Sequence, residues 1–99
     1  MTYYMIDGAR YDAKGRLTHV SMGAVDSVKN KWVYNPEVTA IEDVVNKMHG
    51  SATVMVRTVR GSQGATVRIA VEAATGREFI VEVDPENHPG GTLKDLPAC

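Results

Sequence analysis

This chain of 99 residues has one cysteine, one tryptophan and one phenylalanine. Each scarcity excludes something. With Cys99 alone, no internal disulfide can form, which fits a reducing compartment. The apolar runs all fall short of the ~18 residues that a membrane span needs. Met1-Thr2-Tyr3-Tyr4 has no basic segment leading into an apolar stretch, so no signal peptide is expected. Charge of neither sign prevails. The formal net charge of -1 provides no global field for steering nucleic acid or anionic lipid. Together these features predict a soluble cytoplasmic protein with no membrane association.

What is present is an ordinary globular composition, with 43% hydrophobic residues. The length predicts one domain over residues 1–99. Such a chain buries roughly 60–65% of its unfolded surface, enough for a core without metal or disulfide.

Local patterns place the elements. Residues 3–11 and 16–22 are β-rich and flank Asp12-Ala13-Lys14-Gly15, which predicts a hairpin. Gly23 to Lys31 reads as a loop, and Trp32-Val33-Tyr34 as an aromatic knot against the core. A helix follows. It starts either at Asn35-Pro36-Glu37 or at the capping box Thr39-Ala40-Ile41-Glu42. Either start presents Val38, Ile41, Val44, Val45 and Met48 on one face, and Gly50 ends the helix in the left-handed conformation. Ala52 to Arg60, Ala65 to Ala73 and Arg77 to Asp84 are strand signals, joined by Gly61-Ser62-Gln63-Gly64 and Ala74-Thr75-Gly76.

Those loop lengths predict a register. Arg60 faces Ala65, Arg57 faces Arg68, and Arg68 faces Glu82. Val56, Ile69 and Val81 then line up on the buried face. From Pro85 onward, Pro and Gly break any regular pattern. Residues 85–99 are therefore an irregular tail that Leu93 and Leu96 dock onto the core.

The fold expected is α+β: about five antiparallel strands in the order β-β-α-β-β-β, twisted or partly rolled, with one covering helix. Its core comprises Ile6, Val20, Trp32, Ile41, Val44, Val45, Val56, Val67, Ile69, Val71, Phe79, Val81 and Val83. The sheet edges offer a route to homodimers by strand pairing.

Tyr4-Met5-Ile6, Arg10-Tyr11-Asp12, Gly15-Arg16-Leu17 and His19-Val20 recur in order with Trp32, Val44-Val45, Gly61, Gly64-Ala65, Gly76, Phe79-Ile80, Thr92-Leu93 and Asp95-Leu96-Pro97. This succession resembles domain-of-unknown-function family 3892, short and mostly bacterial proteins. The resemblance implies no catalytic residues, because that family has none assigned. The segment from Gly23 to Tyr34 is longer than the family's, and the Asn35-Pro36 helix entry is unusual for it.

The chemistry-bearing residues have plain readings. His19, His49, His88 and Cys99 fit no compact ligand spacing, so no metal or cofactor is implied. His49 falls in a helix's last turn, where a cation meets the negative end of the dipole. Asp7 and His19 are an ordinary polar pair across the hairpin, and Asp12 is a turn residue. Gly61 to Gly64 joins strands and lacks the helix that a phosphate loop opens. No catalytic set results.

Charge is less evenly spread. From Lys47 to Arg77 the bases are Lys47, Arg57, Arg60, Arg68 and Arg77 against Glu72 alone; from Glu78 the acids dominate. Arg57, Arg60 and Arg68 thus form a candidate strip for an acidic protein surface or for nucleic acid. The plainer reading pairs Arg68 with Glu82 and leaves the others solvating an exposed face. With Phe79 pointing inward, no aromatic platform for bases is expected. The functional expectation is a non-enzymatic module, an accessory or inhibitory factor of bacterial or phage type that binds a protein partner. Nucleic-acid binding is the alternative, and a small enzyme a distant third.

Overall fold

Alternating apolar side chains decide most of the sheet. A computed structural model describes residues 2–29, 31–58 and 63–99. Its elements are β1 (Thr2–Tyr11), β2 (Leu17–Asp26), β3 (Lys31–Ala40), α1 (Ile41–His49), β4 (Val54–Arg57), β5 (Gln63–Val71) and β6 (Glu78–Glu82), with short 3-10 turns at Pro85–Asn87 and Leu93–Asp95. The fold is α+β, an open sheet covered by one helix. The sheet has six strands rather than five, in the order β3-β2-β1-β4-β5-β6. It is also mixed: β1 pairs parallel with β4, matching Tyr4 to Val54, Met5 to Met55 and Ile6 to Val56. The other pairings are antiparallel.

The sixth strand is the main departure from expectation. Residues 23–26 continue β2, and residues 31–40 form β3 where a loop, a knot and a helix entry were expected. Pro36 therefore sits in an edge strand, a place that tolerates a missing N–H. The register shifts between Met22 and Ala24 and again between Ala24 and Val25, with the extra residues on β3. Gly23 makes this possible. A Cβ there would lie 2.8 Å from the Trp32 ring, 2.8 Å from the Tyr34 carbonyl oxygen and 2.9 Å from the Pro36 nitrogen.

Neither expected start opens α1. Its N-cap is Ala40, without a side-chain cap, and the Thr39 hydroxyl donates to the Glu37 carbonyl at 3.0 Å instead. Glu42 and Asp43 in the first turn, and Lys47 and His49 in the last, suit the helix dipole. Gly50 ends the helix with φ of -83°, and the left-handed residue is Ser51 at 71°.

In the second half β5 keeps the expected length but lies two residues earlier, β6 is shorter than expected, and the register is different. Met55 faces Thr66 and Arg57 faces Gln63, so Arg57 is not opposite Arg68. Arg60, Gly61 and Ser62, which carry part of that expectation, lie outside the described residues. Between β5 and β6 the pairs are Val67–Glu82, Arg68–Val81, Ile69–Ile80 and Val71–Glu78. The turn holds Ala73 to Gly76, one residue more than expected, closed by Glu72 N–H to the Arg77 carbonyl and Gly76 N–H to the Glu72 carbonyl, both 2.8 Å. That extra residue slips the pairing by one. Ile80, expected to face solvent, is therefore buried, and Arg68 faces Val81 instead of Glu82.

The helix-bearing face holds the main core. Ile6, Val20, Met22, Val54, Val56, Val67 and Ile80 pack with Ile41, Val44 and Val45 of α1. Of the expected core, Trp32, Ile69, Phe79 and Val81 are only half-buried, while Val71 and Val83 are exposed at 63% and 38%. Val38, expected on the helix's apolar face, is exposed on β3. A smaller cluster occupies the other face: Tyr3, Met5 and Val25, flanked by Trp32 and Met55.

The tail closes the remaining gaps. Leu93 is buried in the main core and Leu96 packs against it. Ala98 bridges Ala9 in parallel, taking over the edge of β1 beyond the stretch that β4 pairs.

Replacing Gly23 with Ala forces two backbone atoms of β3 away. The variant should lose about 1–3 kcal/mol of stability, read as a fall in Tm of about 4–8 °C per kcal/mol. An unchanged Tm would show that the β2–β3 approach is not tight.

Candidate functional site

The expected arginine strip is not contiguous. Arg57 and Arg68 share the helix-free face but run off in opposite directions from the Met55–Thr66 pair. Four residues of strand offset separate them by roughly 13 Å. Arg57 is half-buried, with its guanidinium 6.0 Å from the centroid of the Trp32 ring. Arg68 is exposed. Arg60 lies outside the described residues. An aromatic group does accompany Arg57, contrary to expectation, because Trp32 belongs to β3 and pairs with Val25. Beside it, Tyr3 is buried and its hydroxyl accepts from Gln63 Nε2 at 3.1 Å.

The expected polar pair of Asp7 and His19 does not form. Asp7 sits at the bulge between Ile6 and Gly8, whereas His19 faces Arg10 across the hairpin. His19 Nδ1 meets the Thr18 hydroxyl at 3.0 Å, and His49 meets Glu78 at 2.8 Å. Asp12 is a turn residue: one carboxylate oxygen accepts from the N–H groups of Lys14 and Arg16, each at 2.9 Å. Among the described residues, no three His, Cys, Asp or Glu side chains converge as metal ligands. Among the same residues, no helix is long and apolar enough to cross a membrane. Asp7 shares a recess of about 380 Å³ with Arg57, Thr58, Asp95, Leu96 and Pro97, and no histidine or cysteine lines it.

A larger groove lies elsewhere, between edge strand β3 and the helix. It measures about 690 Å³ and is lined by Met22, Tyr34, Glu37, Val38, Thr39, Asp43, Asn46 and Lys47. Its geometry follows from the strand register. Tyr4, Ala24 and Tyr34 lie abreast on β1, β2 and β3, with the small Ala24 between the two tyrosines. Burial, then Tyr4 and Glu37, push the Tyr34 phenol above its ordinary range. Lys47 Nζ stands 5.3 Å from the Tyr4 ring centroid. On the helix wall, Asp43, Asn46 and Lys47 follow the three- and four-residue spacing of a single helix face. Glu37 and Asp43 thus set two carboxylates against one ammonium already placed over a ring.

Beside the groove, β3 exposes Val33 at 59%, Tyr34 at 42% and Val38 at 52%. As an edge strand it has β2 on one side only. The sequence pattern of this segment points instead to a loop and a helix entry, which hides the groove. Its one available signal was Trp32-Val33-Tyr34, a β-forming triplet.

Asp12, Asp26 and Asp95 are held below the ordinary 3.8 by hydrogen bonds to their charged forms. For Asp95 the Thr92 hydroxyl contributes most, at 2.7 Å, and the Thr92 N–H next, at 3.1 Å. A depressed folded-state value means stabilisation that is present above the unfolded value and lost as pH falls through the folded one. Asp95→Asn should therefore be less stable than the parent at pH 6, and the difference should shrink as the pH falls below the ordinary carboxylate value and through the depressed folded-state one. Denaturant unfolding at several pH values reads this out, and a gap that persists in acid would contradict it.

No family model, curated protein or solved structure matches this chain.

Proposed function

We propose that this chain is a non-enzymatic binding module that takes a segment of a partner protein against edge strand β3 and the groove beside it. The observation that carries this reading is an edge strand with three exposed apolar side chains, two of which, Tyr34 and Val38, line an acidic groove. Recognition by strand addition combines main-chain pairing with side-chain pockets. Here Pro36 and the two bulges limit pairing to short stretches on either side. Affinity then rests on side-chain contacts: apolar ones at Val33, Tyr34 and Val38, and basic partner groups against Glu37 and Asp43. The same edge on a second copy gives a homodimer.

Nucleic-acid binding is the second reading. Arg57 beside Trp32, with Arg68 on the same face, favours it. Against it, the Trp32 face is already covered by Arg57, and the two arginines stand far apart.

Photo-crosslinkers placed at Val33 and Val38 should capture one and the same protein, and a crosslinker at Lys14 should not. Tyr34→Ala or Glu37→Lys should reduce that capture by roughly tenfold, the size of a lost hot spot. If the captured species is the chain itself, light scattering should report a dimer that Val38→Lys disperses. Capture that does not depend on position would remove the reading. A mobility shift with single-stranded RNA at about 50 mM salt, weakened by Arg57→Ala and Arg68→Ala, would move the function to nucleic acid.

A further inference from the structure

A second concavity, sharing no lining residue with the β3 groove, has a different chemistry. It lies between the first hairpin's turn and β6, and its volume is about 410 Å³. Leu17, Phe79, Val81 and Leu93 give it an apolar lining. Two contacts bring its walls together. Arg16 in the hairpin turn pairs with Glu72 at the end of β5 at 3.3 Å, and Arg77 Nη2 donates to the Leu17 carbonyl at 3.0 Å. In sheet order β1 and β4 lie between these partners, so the sheet curls to let them meet.

The polar groups around this cleft are unevenly satisfied. Glu72 takes Arg16 and the Thr75 hydroxyl, the latter at 3.0 Å. Glu82 accepts the Leu93 N–H at 2.8 Å. Arg77 uses one of the five donors of its guanidinium on a carbonyl, and among the described residues neither it nor Lys94 has a carboxylate partner. The lining holds three cations, Arg16, Arg77 and Lys94, against two carboxylates, Glu72 and Glu82. Tyr11 adds a phenol at the rim, its pKa raised above the ordinary range by burial first and by Glu82 second.

An apolar cavity of some 300–1,000 Å³ with a few converging polar groups is the usual form of a small-molecule site. We propose that this cleft binds a small amphipathic carboxylate, its apolar body lying on Leu17, Val81 and Leu93 and its charge meeting Arg77 and Lys94. The charge balance selects an anion over a cation. The small volume selects a single chain or ring system. The site shares no lining residue with the β3 groove and is independent of the protein-binding role.

Titration with decanoate and with decanol, followed by calorimetry and by amide chemical shifts, tests this. Decanoate should bind one to one and at least about tenfold tighter than decanol, with shifts centred on Leu17, Val81 and Leu93. Lys94→Glu, at an exposed position, should erase most of the preference for decanoate while keeping the fold. Val81→Trp should fill the cleft and abolish binding of both. Absence of decanoate binding, equal affinity for decanol, or an unchanged preference in Lys94→Glu would each overturn the proposal, even if Val81→Trp fails to fold.

Discussion

The parallel pairing of β1 with β4 is the constraint on which the rest of this fold depends. Parallel neighbours cannot be joined by a tight turn, so the chain between them must leave the sheet and return over a face. Here the intervening chain first adds β2 and β3 on the far side of β1, then crosses back as α1. The helix is thereby laid over Ile6, Val54 and Val56, three side chains with at most 1% exposure that the parallel pair presents together. Without that pairing there would be two separate three-stranded antiparallel units and no shared floor for the helix. Because β4 pairs only with Tyr4 to Ile6, the upper half of β1 is left for Ala98, which explains why so irregular a tail is anchored at all.

The same constraint accounts for both concavities. With β1 central, the first hairpin extends past the end of β4, and its turn is free to meet the β5–β6 end. Arg16, Glu72, Arg77 and the Leu17 carbonyl make that closure, and a cleft remains beneath it. At the other side β3 is displaced to the sheet edge. There Gly23 draws its backbone in, while Pro36 and the bulges turn its apolar side chains outward. Exposed ion pairs such as Arg16–Glu72 contribute little stability, ~0–1 kcal/mol. Their consequence here is geometric, because they set the width of the cleft.

The sequence made legible what alternation and helix spacing govern. The hairpin turn at Asp12, the apolar face of Ile41, Val44 and Val45, and the inward set of Ile6, Val20, Val56 and Val67 all follow from local pattern. Features that depend on counting residues through turns were not legible. One extra residue in the turn after Glu72 exchanged the faces of Ile80 and Val81, and with them the expected Arg68–Glu82 pair. Pro36 was the other point of ambiguity. The same residue that opens a helix also marks an edge strand with a bulge, and only the approach of Gly23 distinguishes them. The groove went unseen for that reason, since β3 forms one of its walls.

The arginines that stood out in sequence are separated by the register, and one of them lies against an indole. The surfaces with the clearest chemical character are instead built at places where the β-pattern is interrupted: a bulged edge strand and a turn curled onto a neighbouring strand. Edge strands are ordinarily blunted by proline, charge or twist so that they do not pair indiscriminately. The present edge has Pro36, Glu37 and two bulges, yet retains Val33, Tyr34 and Val38 in solvent. Blunting alone would not require three large apolar groups beside an acidic groove. Their desolvation by a partner would recover free energy that the monomer leaves unused, and the interruptions in the strand would confine that gain to a segment of matching side chains.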